Sequence, residues 1–178
     1  MLASPPATPL SPDLIAHTRT GDPAALGELY AQHARALLAL ACRLTGSAAD
    51  AEDVVHDVFL GLPEALRRYE ERGSLASWLK RVTARVALNR LRARGRSREV
   101  ALPPNAAHSA DALDAVALQS AIDALPDALR AVFVLKEIEG YSHAEVAALL
   151  DITRGASEVR LHRAVAALRR ALGGGDHR

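Results

Sequence analysis

The stretch Ser47 to Leu62 reads SAADAEDVVHDVFLGL, and its pattern decides the fold. Ser47 with Asp50 has the form of a capping box, which opens a helix. Val55, Val58, Phe59 and Leu62 then return at helical spacing and predict one buried face. Asp50, Asp53 and Asp57, with Glu64 beyond, fall within roughly 60° of one another on a helix wheel, away from that face. Such a helix buries its apolar face against neighbours and offers its acidic stripe to water or to a basic partner surface. No part of the chain alternates apolar and polar residues as a strand would. The expected class is all-α.

Working outward, Asp22-Pro23 predicts a helix start, a capping side chain followed by proline at the first helical position. Leu26, Leu29, Tyr30, His33, Leu37, Leu40 and Leu44 follow at helical spacing, and Gly46 closes that helix. Downstream, Gly73-Ser74 breaks the chain, and a third long helix is predicted from about Leu75 into the nineties. This helix is basic: Lys80, Arg81, Arg85, Arg90, Arg92, Arg94, Arg96 and Arg98 lie in a run without a single acid. Arg81, Arg85, Arg92 and Arg96 share an arc of roughly 60°, bordered by Trp78 and Asn89, with Leu75, Leu79, Val82 and Val86 on a neighbouring apolar face. A solvated arginine-rich face is the commoner meaning of such a run. Here the missing acids leave the charges mutually repulsive unless an anion meets them, and a basic stripe beside an indole suits phosphates and a stacked base.

Residues 99–116, with Pro103-Pro104 and little periodicity, read as a linker between two helical domains, 12–98 and 117–173. In the second block, Leu125-Pro126-Asp127 opens a helix carrying Leu129, Val132, Leu135 and Ile138, and Gly140 closes it. Ser142 with Glu145 forms another capping box, opening a short helix to Leu150. The turn Asp151-Ile152-Thr153 leads into a last helix with Leu161, Ala164 and Leu168. A short helix, a tight turn and a second helix from Arg154 have the spacing of a helix-turn-helix. Arg154, Arg160 and Arg163 are then the expected DNA contacts, against one acid, Glu158. An ordinary packing hairpin has the same outline.

Composition narrows the function. The chain has 178 residues, a net charge of +1 and 3% aromatic residues. Its apolar content is therefore mostly Ala, Leu and Val, which favours helices. The single cysteine, Cys42, excludes an internal disulfide and a multi-cysteine zinc site. Asp53 and His56 have metal-ligand spacing once only, where a carboxylate-bridged bundle needs it twice. No glycine-rich phosphate loop or paired nucleophile and histidine stands out, so no catalytic residue, metal or cofactor is expected. Residues 1–11, rich in proline, are expected to be a disordered leader, and 174–178 a tail. With no signal peptide and no apolar run of membrane length, a cytoplasmic protein is expected. At this point a helix-turn-helix repressor, a response-regulator output domain and a metal-dependent bundle enzyme stay open as rivals.

The residues also resemble a family. Ala51 to Leu60, AEDVVHDVFL, is similar to the region 2 helix of extracytoplasmic-function sigma factors of bacterial RNA polymerase. Trp78-Leu79 and Asn89-Arg90-Leu91-Arg92 resemble the helix that follows it. Leu125-Pro126 with Arg130 and Val132-Phe133, then Gly140-Tyr141-Ser142 with Glu145-Val146-Ala147 and Arg160 to Ala164, RLHRA, resemble region 4. The match runs in order over about residues 12–172. It implies a factor that directs RNA polymerase core to promoter DNA and carries no catalytic group. By the same resemblance, Asp50, Asp53, His56 and Asp57 meet the polymerase clamp helices. Trp78, Arg81, Arg85, Asn89 and Arg92 serve the −10 element and its melting. Arg154, Ser157, Glu158, Arg160 and Arg163 serve the −35 element, with the region 4 domain on the polymerase flap. An anti-sigma factor is expected as a further partner. Several positions depart from the family pattern: Lys80 stands for a usual Tyr, Arg85 for Asn, Asn89 for Asp, His56 for Gln and Val165 for Arg. Ala156-Ser157-Glu158-Val159 replaces a typical Thr-Val-Lys-Ser.

Overall fold

The computed structural model describes the backbone of residues 12–70, 74–97 and 113–173, and the side chains of 13–70, 74–94 and 116–172. The expected leader, most of the expected linker and the tail lie outside these residues. The first block contains α1 (Pro12–Arg19), α2 (Pro23–Thr45), α3 (Ala48–Arg67) and α4 (Leu75–Ser97). The second contains α5 (Leu113–Asp123), α6 (Asp127–Phe133), a π-helical turn (Val134–Ile138), α7 (His143–Leu150) and α8 (Arg154–Gly173). Among the described residues there is no strand.

Local chemistry sets the boundaries. Asp22 Oδ1 accepts from the Ala24 N–H at the start of α2. Gly46 ends that helix at φ 67°, a left-handed conformation natural to glycine. Ser47 Oγ accepts from the Asp50 N–H at the start of α3. Ser142 and Glu145 form the full reciprocal box on α7.

In the first domain α2, α3 and α4 pack against one another, and α1 lies across α3 and α2. Leu29, Leu37, Leu40 and Leu44 of α2 meet Val54, Val55, Leu62 and Leu66 of α3 and Leu79 of α4, all fully buried. Arg19 closes the end of α3 by donating to the Leu66 and Tyr69 carbonyls. In the second domain α8 packs on α5, α6 and α7 around Val132, Leu135, Val146, Ala164 and Leu168.

Three expectations change. Helix α5 begins at Leu113, inside the stretch expected to be linker. Its Ile122 is buried and it packs on α8, so tertiary contact extends the helix backward. The helix expected through Ile138 widens after Phe133, and the Glu139 N–H reaches the Val134 carbonyl five residues back. One extra residue in that turn carries Ile138 out to solvent and turns Glu139 inward. Tyr30, on the apolar series of α2, is half exposed and packs its ring edge against Phe59, centroids 4.9 Å apart.

Candidate nucleic-acid interface

The acidic stripe of α3 and part of the basic run of α4 face each other. Arg90 donates to Asp53 at 2.9 Å and to Asp57 at 3.3 Å, while Arg94 pairs with Asp50. Asp53 and Asp57 stay more than half exposed and His56 lies on the surface beside them. Leu26, Gly27, Tyr30, His56, Phe59 and Leu60 line a shallow apolar groove at the edge of this stripe. The sequence pattern found both stripes and missed their pairing, because arginines 33–44 residues from their acids have no local signature.

Two other arginines of α4 reach the second domain. Arg81 reaches Glu145 at 3.3 Å. Glu145 is held below the usual carboxylate range chiefly by the backbone and hydroxyl hydrogen bonds from Ser142, with Arg81 adding to them. The neighbouring Tyr141 hydroxyl is pushed up mainly by burial, with Arg81 opposing the shift. Arg92 donates to Asn89 Oδ1 at 3.0 Å and to the Leu149 carbonyl, at the end of α7, at 3.0 Å. Arg85 is exposed. Trp78 is half-buried, its ring 4.9 Å from that of Tyr69. Arg96 belongs to the residues whose side chains are not described.

Two further contacts join the domains and had no sequence signal. Glu139, with its side chain 5% exposed, accepts from Arg43 of α2 at 3.0 Å and from Lys80 of α4 at 2.8 Å. Arg130 of α6 is buried and donates to the Leu44 and Thr45 carbonyls, the open end of α2. Carbonyls at a helix end lack partners within the helix and carry its negative pole, so a guanidinium satisfies both needs. Arg130 also donates to the Asp123 and Leu125 carbonyls and pairs with Asp127. A Cβ on Gly46 would stand 3.3 Å from the Arg130 guanidinium carbon, so glycine there serves both the left-handed turn and this seat.

The helix-turn-helix is present. Asp151 takes φ 55° between α7 and α8, Ile152 N–H bonds the Ala147 carbonyl, and Thr153 Oγ1 accepts from Ala156 N–H at the start of α8. Arg154 and Glu158 pair along the exposed side at 2.9 Å, and Arg163 is exposed. Ser157 is corrected. Its side chain is fully buried and its hydroxyl meets His143 Nδ1 at 2.9 Å, so it joins α8 to α7 and cannot reach a base edge. Arg160 is half-buried, on the flank of the helix. Among the described residues no group of three His, Cys, Asp or Glu could hold a metal ion, and no helix is long and apolar enough to cross a membrane.

The model of Sigma-70 region 2 matches residues 29–97, and that of Sigma-70, region 4 matches residues 115–168. These spans fall within the two helical blocks, the first beginning inside α2. The ECF RNA polymerase sigma factor SigM of Mycobacterium tuberculosis is 32% identical over 90% of this chain and 84% of its own length. CarQ of Myxococcus xanthus, an RNA polymerase sigma factor, is 33% identical over 87% of this chain and 93% of its own. SigE of Mycolicibacterium smegmatis is 37% identical over 81% of this chain, and the match spans 61% of that longer protein. Among solved structures, RpoE of Bartonella quintana, crystallised with the anti-sigma factor NepR, superposes with a TM-score of 0.62 at 25% identity, covering 85% of this chain and 98% of that one. CnrH, solved with the cytosolic domain of CnrY, gives 0.57 at 28% identity, covering 92% and 97%. The chain belongs to the extracytoplasmic-function sigma factors, which start transcription at specific promoters with RNA polymerase.

Proposed function

We propose that the two domains divide the work of this sigma factor in the following way. The acidic face of α3, Asp50, Asp53 and Asp57 with His56 on its flank, docks on the clamp helices of polymerase core. Arg81, Arg85, Asn89 and Arg92 of α4, with Trp78, take the −10 element and hold it open. Arg154, Glu158 and Arg163 of α8, with Arg160 on its flank, take the −35 element, while the second domain rests on the polymerase flap. The factor works in the cytoplasm beside polymerase, and an anti-sigma factor holds it in reserve, as NepR accompanies RpoE.

One observation carries this reading: an acidic helix, a basic helix and a helix-turn-helix occur in the order and spacing of regions 2 and 4. The same observation disfavours a repressor, which would leave the two stripes of the first domain without a role. Arg81 and Arg92 are engaged by α7 in the described arrangement, so the domains part before both can meet DNA.

The test starts with core binding. Asp53→Asn with Asp57→Asn removes charge without setting a lysine against Arg90, and is expected to weaken binding to polymerase core while helicity stays unchanged. Core affinity equal to the parent chain would remove this face from the interface. Arg85→Ala is expected to reduce transcription from a duplex promoter more than from one whose −10 region is already unpaired. Equal output on both templates would remove α4 from melting.

A further inference from the structure

We infer that Val159 selects a thymine in the upstream promoter element by packing its isopropyl group on the thymine 5-methyl, with Gly155 giving the helix room to approach. This rests on the reading of α8 as the major-groove helix. The outer face of α8 was set by the packing of its inner one. Ser157, Ala164 and Leu168 are buried, and Val159 lies roughly 160° around the helix from their mean direction. Gly155 and His162 share that outermost ridge, both exposed. The charged residues stand to either side, Arg154 and Glu158 on one flank and Arg163 on the other. In the first two turns, where a helix seated in the groove comes nearest the base edges, the ridge carries Gly155 and Val159 and no polar side chain; His162 follows a turn later.

A single exposed valine is ordinary surface on most helices. This one is 50% exposed at the second turn of the helix that the fold offers to the major groove, where contacts to bases come from the first residues. Of the groups displayed there, the thymine 5-methyl is the apolar one, and small branched side chains pack on it. Gly155 supports the same geometry. It is not in a left-handed conformation, and a Cβ built there meets nothing within 4 Å, so the fold itself has no need of glycine. Glycine weakens a helix relative to alanine, and close approach to a partner is one of the uses that offsets this. Glu158, steadied by Arg154 at 2.9 Å, sits one step away with acceptor oxygens suited to a cytosine amine and opposed to the acceptors of guanine.

The experiment uses polymerase holoenzyme assembled with the full chain. Its preferred upstream element is selected from randomised duplexes, and each thymine in that element is then replaced by deoxyuridine, which lacks only the methyl. The parent chain is expected to lose about fourfold in binding at one thymine, the scale of one buried methyl group. Val159→Ala is expected to lose a similar factor on the unmodified element and to be indifferent to uracil at that position. Its thermal midpoint should not move, because the side chain is exposed. Gly155→Ala is expected to raise the thermal midpoint while weakening binding to the upstream element. Losses from Val159→Ala and from uracil that simply multiply, or no loss from either, would overturn the thymine assignment. Unchanged binding by Gly155→Ala would overturn the close approach. A parent chain that fails to form a holoenzyme would instead remove the reading on which the inference rests, so the two failures are separable.

Discussion

At the scale of single residues, burial decides what a side chain can do. His33 on α2 has a buried Nε2 with no hydrogen-bond partner, and burial holds its pKa below the usual imidazole value of 6.5. The folded state thus favours the neutral ring, and the unfolded chain binds the proton more readily. Stability from this site is complete above about pH 6.5 and falls as pH drops from there toward the folded pKa, where it levels off. Urea midpoints at pH 7.5 and 5.5 should show a larger acid loss for the parent chain than for His33→Leu. An equal loss in both would assign the acid sensitivity elsewhere. Ser157 gives the complementary case. Ser157→Ala removes the hydrogen bond to His143 and is expected to cost about 1 kcal/mol of stability, with promoter selectivity unchanged. Glu158→Lys is expected to do the reverse. It removes a like charge from beside the phosphates, strengthens duplex binding and lowers selectivity, read as affinity for specific against random duplex. Unchanged affinity would mean that Glu158 points away from DNA.

At the scale of elements, the sequence was legible where the physics is local. Caps at Asp22, Ser47 and Ser142 marked helix starts because a capping oxygen bonds the backbone two or three residues on. The box on α7 is tested by Ser142→Ala, expected to cost about 1 kcal/mol of stability. It should also release Glu145, whose carboxyl titration would move back up toward the ordinary range, visible by NMR. The start of helix α5 was missed because no capping residue stands out before Leu113, so its first four residues read as linker. The π-helical turn was missed because a wider turn leaves no mark on a periodic pattern as short as Leu129 to Ile138. Ser157 was misplaced for a related reason. Spacing identifies the recognition helix, whereas the face it buries is fixed only once α5, α6 and α7 have packed on it. The pairing of Arg90 with Asp53 and Asp57 belongs to the same class. It joins two exposed stripes, and exposed pairs of this kind contribute less than about 1 kcal/mol, so their value is in orienting the acidic face.

At the scale of the whole molecule, the contact between the domains was not legible at all. Its residues are far apart in sequence, 96 positions between Arg43 and Glu139 and 59 between Lys80 and Glu139. Neither end carries a motif. Glu139 is the keystone by burial, since Arg43 and Lys80 keep 32% and 40% of their side-chain surface in water. Glu139→Gln keeps the shape and removes the charge, so it should loosen the contact without unfolding either domain. Small-angle scattering is expected to give a larger radius of gyration for Glu139→Gln than for the parent chain at the same ionic strength. An unchanged radius would place the hold in Arg130 and the apolar contact instead. The central claim, however, is that this chain supplies promoter specificity to RNA polymerase. The most direct measurement is run-off transcription by purified core polymerase on genomic fragments, with and without the chain. The account predicts discrete transcripts that require the chain, start at fixed positions and are lost with Asp53→Asn/Asp57→Asn. Core binding without any chain-dependent start site, or no binding to core at all, would contradict it.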